Sequence, residues 1–153
     1  MSRFAGIPIR VEPPEPIDGL GGGVRAILHE IVTLLDRLAS ANEPAAIDLR
    51  SLPMSPADRI ELRHALGSGE VRATLNAEGA STIQETHIPG VWWIEHRDLQ
   101  DQLIAELIDI TLVPDILARD REEIAEGMRT LREQLASTAA LAPDPGGNRA
   151  GRQ

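Results

Sequence analysis

The stretch "HIPGVWWIEH", residues 87–96, holds both tryptophans of a 153-residue chain that has one phenylalanine and no tyrosine. Pro89-Gly90 is a turn dipeptide and the residues after it are β-branched and aromatic, so the segment reads as a hairpin turn feeding a strand. Side chains alternate across a strand, which places Trp92 and Trp93 on opposite faces of a sheet. Both faces then need cover for an indole.

The neighbouring sequence supplies the rest of that sheet. "EVRATLNA" alternates with Val71, Ala73 and Leu75 on one side, "EGA" is a turn, and "STIQETHI" continues extended up to Pro89. After "VWWIEH" comes "LIAELIDITLV", closed by Pro114, giving four consecutive antiparallel strands. With a two-residue Pro89-Gly90 turn, Ile88 opposes Val91, His87 opposes Trp92 and Ile83 opposes His96. In the last strand Ile104, Ile108, Ile110 and Leu112 form an apolar row broken only by Glu106. Leu103, Ala105 and Leu107 form a second row that ends at Asp109. A sheet with one face in water would show polar residues there, so the second face also expects cover, from a helix or a partner. If the "RDLQDQ" connection pairs Arg97 with Gln102, Trp93 lies opposite Glu106 in the helix-covered core. Trp92 then lies with Ile94, Ala105 and Leu107 on the second face, and a slip of one residue exchanges the two.

Helical signals flank the strands. Val24, Ile27, Leu28, Ile31, Val32, Leu35 and Leu38 recur at three- and four-residue spacing, a helix that should end near "SANEP". "AAIDL" reads as a short buried strand over 45–49. Ser55 as N-cap, Pro56 at the first helical position and Asp58 in the first turn announce a second helix that should stop at Gly67. Asp120 and Glu123 have capping-box spacing, and Ile124, Met128, Leu131 and Leu135 form the stripe of a last helix. The expected class is α+β: a mostly antiparallel sheet, a four-strand meander plus one earlier strand, with helices packed against it. Four prolines and five glycines in residues 1–23 predict an extended N-terminal arm over 1–21. A single domain over 22–138 and a disordered tail over 139–153 complete the organisation.

Composition narrows the function. A net charge of −9 argues against a nucleic-acid partner, which requires clustered Lys and Arg. The absence of Cys removes zinc-thiolate sites, iron–sulfur ligation, disulfides and thiol nucleophiles. No leader-like run and no membrane-length apolar run are seen, so a cytoplasmic location is expected.

Local motifs add little chemistry. "HEIVT" (29–33) begins like a zinc-protease helix, but position 33 is Thr where the second His would stand. "GLGGG" (19–23) lacks both the preceding strand of a dinucleotide fold and the Lys-Ser/Thr of a P-loop, and reads as a flexible hinge. His87 and His96, with Glu85, are the remaining basis for a small enzyme. They sit two strand pairs apart, about 10 Å at the usual rise, too far to share a metal. No catalytic, cofactor or metal residue is assigned.

The order "IDLRSLPMSPADR" (47–59), "LGSGEV" (66–71), "PGVWW" (89–93) and "ITLVPDIL" (110–117) resembles the C-terminal domain of the HupH, HyaF and HoxQ group of hydrogenase expression and formation proteins. The resemblance spans about residues 24–126 and implies a non-catalytic cytoplasmic accessory factor in nickel–iron hydrogenase maturation, acting as a chaperone or scaffold. Its implied partners are an immature hydrogenase subunit, the iron–sulfur small subunit first, or other maturation proteins. Longer members are similar to two such units in tandem, which leaves open whether a chain with one acts as a homodimer, as a stand-alone variant or with a second protein supplying the missing half. Trp92, Trp93, His87, Ile94 and Leu107 are the candidate partner-binding residues, with no cofactor, nucleic acid or membrane.

Overall fold

A computed structural model describes residues 19–140. Residues 1–18 of the expected arm and 141–153 of the expected tail lie outside the described residues. The chain divides after Leu112 into two compact units.

The first unit is a five-stranded sheet with two helices: α1 (Gly22–Ala41), β1 (Ala45–Asp48), α2 (Pro56–Leu66), β2 (Arg72–Ala77), β3 (Gly79–Glu85), β4 (Val91–Arg97) and β5 (Leu103–Ile110). Strand order is β1-β5-β4-β3-β2, antiparallel throughout, so the meander and the earlier strand are as expected. The second unit holds a 3-10 turn (Asp115–Leu117) and α3 (Arg121–Ala140).

Each helix end follows its local chemistry. The first turn of α1 takes in Gly22 and Gly23, so part of the expected hinge is helical, and the Gly21 N–H donates to Glu61 Oε1 of α2 at 3.0 Å. That bond satisfies a backbone donor which no side-chain cap reaches. Asn42, in the left-handed conformation that Asn tolerates, ends α1 with its N–H on Leu38 O. At α2, Ser55 accepts from the Asp58 N–H and Asp58 accepts from the Ser55 N–H, a reciprocal capping box behind Pro56. In α3, Asp120 and Glu123 make the same exchange at 2.8 and 3.1 Å. The apolar side chains of α3, Ile124, Met128, Leu131 and Leu135, are exposed.

Register departs from the expected one by two residues at both hairpins, and a shift of two leaves every side chain on its face. The loop after β3 is longer than the Pro-Gly pair: Thr86 N–H donates to Val91 O at 3.1 Å, leaving residues 87–90 outside the ladder. The cause is the buried Thr86 hydroxyl, which donates to Val91 O at 3.0 Å and accepts from the Ile88 N–H at 3.1 Å. Glu85 therefore faces Trp92, and Ser81 faces His96. Gly90 turns the chain at φ +85, where a Cβ would also meet Leu35 and Leu38 of α1 at 3.5 and 3.4 Å. At the next turn Asp98 Oδ1 accepts from the Gln100 and Gln102 N–H groups, and Arg97 pairs with Leu103 across an irregularity. Trp93 consequently faces Ile108 rather than Glu106, which faces Glu95.

The main core lies under α1 and α2. Val24, Ile27, Ile31 and Leu38 from α1 and Leu62 and Leu66 from α2 cluster with Ile47, Val91, Trp93, Ile108 and Ile110. Trp93 is thus the helix-covered indole, the assignment expected from the 97–102 connection, and Trp92 points to the second face. Val32 falls outside the stripe and is exposed.

The Ser55 bonds hold the Asp58 carboxyl below the usual carboxylate range. A depressed carboxylate stabilises the fold above its unfolded-state range, and that stabilisation is lost as pH falls through the folded value. Ser55→Ala should lower unfolding free energy by about 1 kcal/mol at neutral pH. It should also raise the Asp58 titration midpoint, both read by denaturant unfolding and carboxyl NMR across pH 2–6.

Candidate interaction surface

On the second face the strands place three rows. Glu85, Trp92, Asp109 and Ala46 form the first, Ala73, Ile83, Ile94, Leu107 and Asp48 the second, and Leu75, Ser81, His96 and Ala105 the third. Ile83, Trp92 and Ile94 in the middle of this face are buried, although α1 and α2 pack on the opposite face. Trp92 Nε1 donates to Thr111 O at 3.2 Å, so its polar edge is satisfied. Leu107 and Ala105, one strand over, are only half-buried.

The β1 margin is where this face opens. β1 is four residues long against eight for β5, and after Asp48 the chain turns away, its Oδ1 accepting the Arg50 N–H at 2.9 Å. The strand mismatch leaves a depression of about 430 Å³ lined by Asp48, Arg50, Ser51, Ile104, Ala105 and Leu107. Its apolar floor comes from β5 and its charged rim from the turn after β1. The Arg50 guanidinium reaches across to donate to Ile104 O, covering a carbonyl that β1 is too short to pair.

The helix-covered face closes differently. Arg59 and Arg63, one turn apart on α2, both reach the buried Glu106 carboxylate, with Arg59 Nε 3.4 Å from Oε2 and Arg63 Nη2 3.8 Å from Oε1. Arg63 also pairs with Glu95 and lies 4.3 Å over the Trp93 ring. Arg97 adds a third cation, 3.7 Å from Glu95. Two acids facing each other across β4 and β5 are therefore held by three arginines, and α2 is anchored to the sheet by charge as well as by Leu62 and Leu66.

The five candidate residues separate on this geometry. Trp92, Ile94 and Leu107 share the second face, Trp93 is enclosed beneath α2, and His87 lies outside the strands. His87 is exposed in the four-residue turn, its N–H on Leu66 O at 2.9 Å. Its ring sits where a Cβ on Gly67 would come within 2.8 Å of Nδ1. The expected strand-paired His87 opposite Trp92 is therefore corrected, because Thr86, not Ile88, closes the turn against Val91, two residues earlier. His96 meets Ser81 Oγ at 2.7 Å in the third row. Glu85 lies two rows from His96, roughly 13 Å along the strands at the usual rise. The suggested grouping of Glu85, His87 and His96 is not assembled. Among the described residues no group of three His, Asp or Glu is placed to hold a metal, and no helix is long and apolar enough to cross a membrane.

Arg59, Arg63 and Glu106 escaped the sequence reading of the helix charges as solvated surface. The available signal was Glu106 itself, the one acid interrupting an apolar row.

Residues 23–138 match the family described as HupH hydrogenase expression protein, C-terminal conserved region. The chain belongs to this family. It is 35% identical over 95 residues to the hydrogenase expression/formation protein HoxQ of Azotobacter vinelandii, covering 60% of this chain and 34% of that protein. It is 30% identical over 130 residues to the hydrogenase-1 operon protein HyaF of Escherichia coli (strain K12), covering 85% and 45%. The structure of the hydrogenase expression protein HupH from Thiobacillus denitrificans ATCC 25259 superposes with a TM-score of 0.74 at 38% identity, covering 78% of this chain and 99% of that one. The chain spans less than half the length of those two curated relatives.

Family membership fits the sheet and helix order, and the chemistry that distinguishes the two faces yields separate expectations. Glu106→Gln should cost about 2 kcal/mol in denaturant unfolding. Both arginine partners keep contact with solvent, which holds the loss below that of a fully enclosed pair. Trp92→Ala should cost about 3–5 kcal/mol in the same measurement, because the indole is buried.

Proposed function

We propose that this chain is a non-catalytic accessory factor of nickel–iron hydrogenase maturation that holds an immature hydrogenase subunit, the iron–sulfur small subunit, before assembly. The observation that carries the reading is the family match over 23–138, joined by relatives whose names tie them to hydrogenase expression and formation. Chemistry supports a holding role over a carrying one: with no cysteine, the chain offers no thiolate to a cluster or to nickel.

The partner surface in this proposal is the β1 margin of the second face. Leu107 and Ala105 provide apolar floor, Ile104 is exposed beside them, and Asp48 and Arg50 supply polar anchors at the rim. An apolar floor with a charged rim is the usual composition of a protein-binding patch. Trp92 and Ile94 support that floor from the neighbouring strand, and Trp93 acts from inside the core. A net charge of −9 suits a basic segment on the partner, and the location proposed is the cytoplasm.

Affinity capture tests the reading. The tagged chain, expressed in cells that make a nickel–iron hydrogenase, should retain the small subunit, and Leu107→Asp should reduce the retained amount at least about tenfold. Circular dichroism should show the variant folded. Capture of no hydrogenase subunit by the wild-type chain would refute the role, and undiminished capture by folded Leu107→Asp would refute the surface.

A further inference from the structure

The core on the helix-covered face draws on β1, β4 and β5 and takes no residue from β2 or β3. Beside the end of α2 at Leu66, a cavity of about 100 Å³ lies on this face. The strand ladder builds its floor. Arg72, Gln84 and Trp93 stand in one row across β2, β3 and β4, and Thr82 and Glu95 stand in the next. Arg63 and Ser68 close it from the α2 side.

The charges in these walls do not balance. Glu95 is already matched, by its pair with Arg63 and by Arg97 at 3.7 Å. Arg72 has no acid within ion-pair distance among the described residues. Two arginines therefore line the cavity against one carboxylate, a surplus of one positive charge in a chain of net charge −9. The neutral groups agree. Among the described residues the Ser68 and Thr82 hydroxyls make no hydrogen bond, and the buried Nε1 of Trp93 has no acceptor. A buried indole N–H ordinarily finds one, so these walls carry donors and lack an oxygen.

An unpaired guanidinium beside two uncommitted hydroxyls is a donor set for a small anion. A surplus of one charge selects a monoanion, because a second negative charge would lie beside Glu95 without compensation. The planar fork of arginine matches the two oxygens of a carboxylate, and the volume suits a group of a few heavy atoms. We propose that this cavity binds a carboxylate, with Arg72 as its cation, Ser68 and Thr82 as hydroxyl donors and Trp93 as its aromatic wall. That carboxylate belongs either to a free small acid or to the C-terminus of a polypeptide. The site lies on the face opposite the β1-margin depression and does not depend on the maturation role.

The two indole N–H signals of the ¹⁵N-labelled full chain give an NMR test. Sodium acetate, exchanged for sodium chloride at constant ionic strength, should move the Trp93 signal saturably, with a Kd on the order of 1–10 mM. The Trp92 signal, held on Thr111 O, should stay in place. Arg72→Gln should weaken binding at least about tenfold, and Thr82→Val about threefold. Arg72 is exposed, so its variant should keep the wild-type thermal transition; if it does not fold, Thr82→Val carries the comparison. Arg25→Gln makes the same charge change on the exposed side of α1 and should leave binding unchanged. N-acetylalanine and its amide separate the two sources. Tighter binding of N-acetylalanine than of acetate assigns the site to a chain terminus, weaker binding assigns it to a free acid, and the amide should not bind. No saturable Trp93 shift up to about 100 mM acetate overturns the proposal. So does equal movement of both indoles, tighter binding of phosphate than of acetate, binding of the amide as tight as the acid, or a loss with Arg25→Gln as large as with Arg72→Gln.

Discussion

Two consecutive residues of a strand cannot face the same way, and in β4 both are indoles. The assignment of side chains to the two faces of the central strands follows from that constraint. Trp93 fixes which side of β4 the helices cover, and through the Trp93–Ile108 and Trp93–Gln84 pairs it fixes the matching sides of β5 and β3. Trp92 then commits the second face to an apolar centre, with Ile83 and Ile94 beside it. A register slip of one residue would move each indole into the other's surroundings. Trp92 would lose its bond to Thr111 O, and Trp93 its contact with Arg63.

The helix-covered face shows how such a sheet accommodates charge at its core boundary. Glu106 and Glu95 face one another on adjacent strands, an arrangement that is repulsive by itself. Arg59 and Arg63 stand one helical turn apart on α2, so both guanidinium groups reach Glu106, and Arg63 reaches Glu95 as well. The apolar contacts of Leu62 and Leu66 bind α2 to the sheet without fixing its rotation finely. The arginine pair supplies that direction, because turning α2 by one residue would carry both cations away and leave a buried carboxylate uncompensated.

These two layers were not equally legible in the sequence. Element order, the Ser55–Pro56–Asp58 helix start and the opposition of the two indoles are local properties of spacing, and they survive folding unchanged. The hairpin register was not legible, because it turns on whether the Thr86 hydroxyl bonds across the loop, which only the folded loop shows. Arg59 and Arg63 looked like any charged helix surface, since i,i+4 charges on a helix have the same pattern whether water or a buried acid lies opposite. The depression at the β1 margin was likewise hidden. It comes from β1 being four residues shorter than β5, a difference set by where the chain turns after Asp48.

The strand mismatch has a further consequence for how the second face can work. Continued pairing along β5 beyond the Asp48–Leu107 pair would fill the edge beside Ala105 and leave no room for a visitor there. Ending β1 at Asp48 exposes that floor, and a free sheet edge is ordinarily a hazard for aggregation. Arg50 limits the hazard by donating to the Ile104 carbonyl, while its charge stays at the rim. The same residue that blocks unspecific strand addition thereby frames the depression. In the proposed role, a partner would engage it through side chains and polar anchors rather than by extending the sheet, and that requirement would favour a defined partner over arbitrary exposed strands.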